Sequence, residues 1–113
     1  MKKVQKISNK NASDYVENKV EFQANNVFSE RIIYGIINKE LCYVVYSYGH
    51  HFPMYVCNAC VWYENTDKYS VSTSKQQTQA RPYGVKTLGR NTNELKEIIR
   101  DAKSLVSGGS AYL

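Results

Sequence analysis

The chain of 113 residues contains no apolar run long enough to cross a bilayer. Its start, Met1 to Lys10, carries Lys2, Lys3, Lys6 and Lys10 but no apolar h-region, which argues against a secretory signal. Cysteine is scarce and odd in number, three in all. Without an export signal such thiols are expected to stay free in a reducing compartment, and the cytoplasm is the expected location. No Walker-type or dinucleotide-type glycine pattern is present, so a standard nucleotide fold is not expected. No spaced pair of carboxylates marks a metal nuclease, and no cofactor is expected. The most informative absence is local. Residues 68–93 hold no aspartate or glutamate, yet they hold Lys68, Lys75, Arg81, Lys86 and Arg90, which together equal the net charge of +5.

What is there fits one ordinary domain spanning residues 1–113. Residues 1–12 read as a loose basic arm and residues 108–113 as a tail. Ten tyrosines are many for this length, and seven of them lie between Tyr34 and Tyr69 among β-branched residues, a strand composition. Asn11 to Asn18 allows one or two helical turns with Ser13 as cap. From Val20 the apolar period becomes two: Val20, Phe22 and Ala24, then Val27 to Ile37, forming two strands or one bulged strand. Asn38-Lys39-Glu40 reads as a hairpin connection, so residues 31–37 pair with 41–48. Gly49 ends that run, and Pro53 lies near the start of the next, Phe52 to Cys57. Asn58-Ala59 reads as the turn of a second hairpin, and Asn65-Thr66-Asp67 as a further turn.

Ser72, Thr73 and Ser74 are each suited to cap a short helix near 73–80, which must stop by Arg81 because Pro82 follows. Pro82 to Arg90, with Gly84 and Gly89, reads as a loop. Asn91 and Glu94 have capping-box spacing ahead of Leu95, Ile98, Ile99, Ala102, Leu105 and Val106, predicting an amphipathic helix over 92–107 that Gly108-Gly109 stops. The fold class expected is α+β: an antiparallel sheet of four to five strands, one face covered by the last helix and the other available.

Four groups of residues carry candidate chemistry. The first joins Lys68, Ser72, Thr73, Ser74, Lys75, Arg81, Lys86 and Arg90: hydroxyls and cations at a helix start, where amides and the dipole favour phosphate. The second is aromatic. Tyr46, Tyr48, Trp62 and Tyr69 are placed to stack bases or anchor a protein interface, and alternation sends Tyr46 and Tyr48 to one face and Tyr43 to the other. The third, Cys57, Cys60 and His50 with Cys42 nearby, has chemistry able to hold zinc, although a structural site usually pairs two C-x-x-C knuckles. Cysteines flanking a two-residue turn also face each other, which permits a local disulfide. The fourth makes His50 or His51 a general base beside Lys75 or Arg81, for metal-independent phosphodiester cleavage. In the last helix, Lys96, Arg100 and Lys103 read as a solvated stripe beside the packed face.

Two segments, Tyr46-Ser-Tyr-Gly-His-His-Phe-Pro53 and Trp62 through Gln76, resemble a pattern of small phage and mobile-element proteins, Y-S-Y-G-x-H-x-P followed by W-x-x-N-x-D-K-Y-S-x-T-T-S-K-H-Q. The resemblance covers about the central third of the chain. It departs at Ser72, where the pattern tends to have threonine, and at Gln76, where it tends to have histidine; Cys57 and Cys60 lie outside it. It implies a phage-like origin, hence a host-cell cytoplasm, and names no activity. Its residues Gly49, His51, Pro53, Trp62, Asn65, Asp67, Lys68, Tyr69, Ser70, Thr73, Ser74 and Lys75 overlap the phosphate candidate. The function expected first is a basic, non-enzymatic binding protein that contacts a nucleic acid backbone and stacks its bases. The alternative is an inhibitor of a host protein, such as an anti-defence factor, and the third reading is a small metal-independent nuclease. Partners expected are a nucleic acid, or a host protein or nucleoprotein complex; the surface also has room for a homodimer, and no membrane is involved.

Overall fold

A computed structural model describes residues 4–34, 39–68 and 70–107. Seven strands form one sheet in chain order: β1 (Gln5–Lys6), β2 (Phe22–Gln23), β3 (Val27–Tyr34), β4 (Lys39–Ser47), β5 (Pro53–Asn58), β6 (Val61–Asn65) and β7 (Thr87–Arg90). The central pairings, from β2–β3 through β5–β6, are antiparallel, whereas β1–β2 and β6–β7 are parallel. The sheet is therefore mixed and wider than the antiparallel four to five strands expected. Parallel neighbours need a crossover, and each has a helix in it. A short 3-10 turn (Asn9–Asn11) and α1 (Ala12–Glu17) connect β1 to β2, and α2 (Val71–Ala80) connects β6 to β7. The last helix, α3 (Thr92–Ser107), follows β7 and matches the sequence expectation.

Topology explains where the helices lie. Four antiparallel steps separate β2 from β6, so the two run in the same direction and both crossovers step the same way across the sheet. Two crossovers of one handedness then fall on one face. Consistent with this, α1 packs on α2, and Ala12, Val16 and Ala80 share a core with Tyr43, Val45, Tyr55, Cys57 and Trp62. α3 occupies the opposite face, burying Leu95, Ile99 and Ala102 on Cys42, Val44, Tyr46 and Val56. Both faces are covered, so the expected open face does not exist. Alternation along β4 does divide the tyrosines as expected, Tyr43 to one core and Tyr46 to the other.

Several local expectations shift. Tyr34 pairs with Lys39, so Lys39 and Glu40 belong to β4 and the connection is 35–38, outside the described residues. In the second hairpin Asn58 pairs with Val61 and Cys57 with Trp62, which leaves Ala59-Cys60 as the turn instead of Asn58-Ala59. Both turn residues have positive φ, 52° and 65°, the pair of left-handed conformations that suits the twist of a two-residue hairpin. Ser13 does not cap α1; it lies inside the helix and its Oγ donates to the Arg81 carbonyl at 2.6 Å. α2 starts at Val71 and is capped by Ser70, whose Oγ accepts from Thr73 N, in place of Ser72, Thr73 or Ser74. The stretch expected as a Pro82–Arg90 loop supplies β7, and Gln5–Lys6 of the expected loose arm joins the sheet edge. The Asn91–Glu94 capping box is present in both directions, at 2.9 Å each. The Gly108-Gly109 stop lies outside the described residues.

Candidate functional site

The eight residues expected to form a phosphate site are dispersed. Thr73 is 1% exposed and turned inward, and at the α2 start its N–H is taken by Ser70 Oγ. Ser72, Ser74, Lys68 and Lys75 are exposed, but Arg81 Nη1 is bound to Glu64 Oε1 at 2.6 Å. That carboxylate comes from β6, so the acid-free segment in sequence is not acid-free in space. Lys86 lies beside Lys19 in a groove on the α1/α2 face, while Arg90 sits 5.3 Å from the Tyr63 ring and donates to the Gly89 carbonyl. Tyr63 packs with the α3-side core, so Lys86 and Arg90 are on opposite faces.

The polar run of α2 has a structural task. The helix buries Thr73, Gln76 and Ala80, a face with little apolar material. Ser47 Oγ donates to Gln76 Oε1 in a buried contact, Tyr55 Oη donates to the Gln77 carbonyl at 2.7 Å, and Gln77 Nε2 donates to the Asn65 carbonyl at 2.8 Å. Buried polar groups are kept only where they are paired, and here the hydroxyls and amides dock the helix on the sheet. Asn65 extends the network, donating to the Pro53 carbonyl at 2.7 Å and to Thr92 Oγ1 at 3.0 Å.

Two of the expected stacking residues are buried: Tyr46 is 2% exposed and Trp62 7%, so neither offers a ring face to a base. Burial pushes the Tyr46, Tyr43 and Tyr55 phenols up from their ordinary values. Tyr69 lies outside the described residues. Tyr48 is 44% exposed and adopts φ 58°, a left-handed conformation that bulky residues rarely take. Its N–H donates to the Asn26 carbonyl at 2.8 Å, which helps to hold the turn in that shape.

The expected metal group is also separated. Cys57 is buried in the α1/α2 core opposite Trp62, Cys60 is in the exposed turn, and His50 packs on the other face. The register removes the expected cross-hairpin disulfide, since Cys57 faces Trp62. Burial raises the Cys57 thiol and pushes Cys42 up to about 12. His51 is exposed and its ring lies where a side chain at Gly49 would project; it does not line the groove described next, and Lys75 is on α2 across the sheet.

What the structure does assemble is a groove beside α3. Tyr46, His50, Lys96, Ile99, Arg100, Lys103 and Ser104 line a cleft of about 340 Å³. Its floor is aromatic: Phe28 stacks on Tyr46 at 5.2 Å, and the His50 ring meets Phe28 at 5.1 Å and Tyr46 at 4.8 Å. Its wall is the stripe Lys96, Arg100 and Lys103, spaced four and three residues apart, so the three side chains lie along one side of the helix. Among the described residues, neither Lys96 nor Arg100 makes an ion pair. No carboxylate is among the lining residues, and His50 Nε2 lies 2.7 Å from Glu30 Oε2. Across Phe28 a second cleft is lined by Asn26, Phe28, Tyr48 and Gly49, which puts the exposed tyrosine on the same flank of the molecule. The sequence held a signal for this groove in the Lys96–Arg100–Lys103 spacing. Only the fold sets that stripe opposite His50.

Comparison with family models, with curated proteins and with solved structures gives no match, so function has to be read from this geometry. No helix among the described residues is long and apolar enough to span a membrane.

Proposed function

We propose that the protein binds single-stranded nucleic acid along the α3 groove, with Lys96, Arg100 and Lys103 on the phosphates and Tyr48 stacking a base. The observation that carries this reading is the row of three cations over an aromatic floor, with no carboxylate among the lining residues. Anionic oxygens are the natural complement of such a wall, and a polyanion engages all three cations at once. The exposed Tyr48, whose N–H is bonded to the Asn26 carbonyl, supplies a platform that any base can use. Lys75 and Lys86 add long-range attraction without forming the site.

The test is fluorescence anisotropy with a labelled single strand across a range of salt. Two cations lost in Lys96→Ala/Arg100→Ala reduce the slope of log K against log salt by about 1.4, at about 0.7 per contact on a single strand. Tyr48→Ala weakens binding by about 1–3 kcal/mol and leaves the slope unchanged. Lys75→Ala/Lys86→Ala serves as the control and reduces the slope less than the α3 pair. Absence of salt-sensitive binding by the unaltered protein refutes the proposal.

A second reading, an inhibitor that docks on a host protein, draws on a different observation. Val61, Val85 and Leu88 are exposed beside the β7 edge of the sheet. Binding of that kind depends on apolar contact and tolerates salt, so the same titration separates the two.

A further inference from the structure

His50 and Glu30 have a geometry that binding alone does not require. His50 Nε2 is 2.7 Å from Glu30 Oε2, and among the described residues Nδ1 makes no hydrogen bond. An ionised carboxylate can only accept, so in the neutral imidazole it fixes the proton on Nε2 and leaves the lone pair on Nδ1. A base oriented by a third group is the arrangement that activates a hydroxyl. The imidazole lines the same groove as Lys96, Arg100 and Lys103, and Lys103 also lines the adjoining cleft that contains Glu30. Base, orienting carboxylate and cations therefore converge on one place. The groove does not supply an activated nucleophile of its own. Burial keeps the Tyr46 phenol protonated, and Ser104 makes no hydrogen bond to His50. The hydroxyl to be activated has to arrive with the bound strand, and RNA carries one beside every phosphodiester.

We propose that the groove cleaves RNA by transesterification, with His50 as general base and Glu30 as its positioning residue. The inference rests on the phosphate-binding reading of the groove. Nδ1 of His50 takes the proton of the 2′-hydroxyl as the 2′-oxygen bonds to the adjacent phosphorus. The P–O5′ bond breaks, the departing 5′-oxygen takes a proton from water, and the hydroxide so formed recovers the proton from the imidazolium. The products are a 2′,3′-cyclic phosphate and a 5′-hydroxyl end, with no net change in protons and no redox partner. Arg100, Lys96 and Lys103 offset the charge that develops on the phosphoryl oxygens.

The experiment offers purified full-length protein three labelled strands of one sequence, RNA, 2′-O-methyl RNA and DNA, and reads cleavage by gel and mass spectrometry and binding by anisotropy. Expected is cleavage of RNA alone, leaving a cyclic phosphate, with binding of all three. His50→Gln lowers the cleavage rate by about 100-fold or more, the scale of a lost general base. Glu30→Gln lowers kcat and leaves KM unchanged, a split that mere loosening of the fold does not produce. Binding of 2′-O-methyl RNA without cleavage of RNA overturns catalysis and leaves the binding reading standing, as does cleavage undiminished in His50→Gln. Failure to bind any strand, with no cleavage, overturns both. Should His50→Gln prove unfolded by circular dichroism, His50→Asn replaces it, and full activity in that variant equally refutes the role.

Discussion

Left-handed backbone at residues other than glycine marks where this chain accepts strain. Ala59 and Cys60 both take it, because a two-residue hairpin needs it at both positions and the sequence offers no glycine there. For an ordinary side chain the conformation costs about 1–2 kcal/mol, while a glycine loses only about 0.5–1 kcal/mol through unfolded-chain entropy. Cys60→Gly is therefore expected to raise stability by roughly 0.5–1 kcal/mol, read as a higher denaturant midpoint at unchanged m-value. A lower midpoint would mean that the exposed thiol makes contacts that outweigh the strain. Tyr48 is the contrasting case. Its ring is exposed and lines the cleft across Phe28, and its N–H bond to the Asn26 carbonyl helps to hold the strained turn.

Helix α3 has its start secured twice. The Asn91–Glu94 box satisfies two amides, and Asp67, from the turn after β6, accepts from Thr92 N at 2.9 Å. The Thr92 backbone and side-chain donors hold the Asp67 carboxyl below its ordinary value. For a depressed carboxyl, the linked stability is fully present above the unfolded value and is lost as pH falls through the folded one. Unfolded aspartate titrates near 3.9, so the loss belongs below about pH 4. Asp67→Asn is expected to flatten that part of the profile, measured by chemical denaturation at pH 6 and pH 3. Equal losses in both proteins would mean that the contact does not contribute. At this scale α3 was legible from its capping spacing and its 3.6-residue period, both of which act within one segment. α2 was legible as a helix but not in its role, because its buried face is polar and a polar run reads as solvent-facing or ligand-facing until its partners Ser47, Tyr55 and Asn65 are known.

At the scale of the molecule the sheet is a two-sided wall, with α1 and α2 on one side and α3 on the other. Because α3 is, among the described residues, the helix packed on Val44, Tyr46 and Val56, replacing its anchors with charges should do more than damage one helix. Leu95→Asp/Ile99→Asp is expected to cost on the order of the whole folding stability, about 5–15 kcal/mol, leaving a protein without a cooperative melting transition. Retention of a native-like melt would show that the α1/α2 core folds without α3. The same two-sidedness governs the charges. The segment 68–93 runs from a loop through α2 to the sheet edge, so its five cations cannot share a surface, and one of them is neutralised by Glu64.

The sequence by itself determined the α+β class, strands β3 to β6, the alternation that parts Tyr43 from Tyr46, and α3 with its capping box. Each of these is fixed by residues near one another in the chain, through period, propensity or turn chemistry. Tertiary structure alone decided the parallel edge strands β1 and β7, whose two and four residues are too few to show a period and become strands only when a crossover lays them beside a neighbour. It also decided the site. Lys96, Arg100 and Lys103 form a plain solvated stripe until the β4–β5 turn carries His50 to their side, across some fifty residues of chain, and β3 brings Glu30 to His50 across 20, contacts that no local pattern encodes.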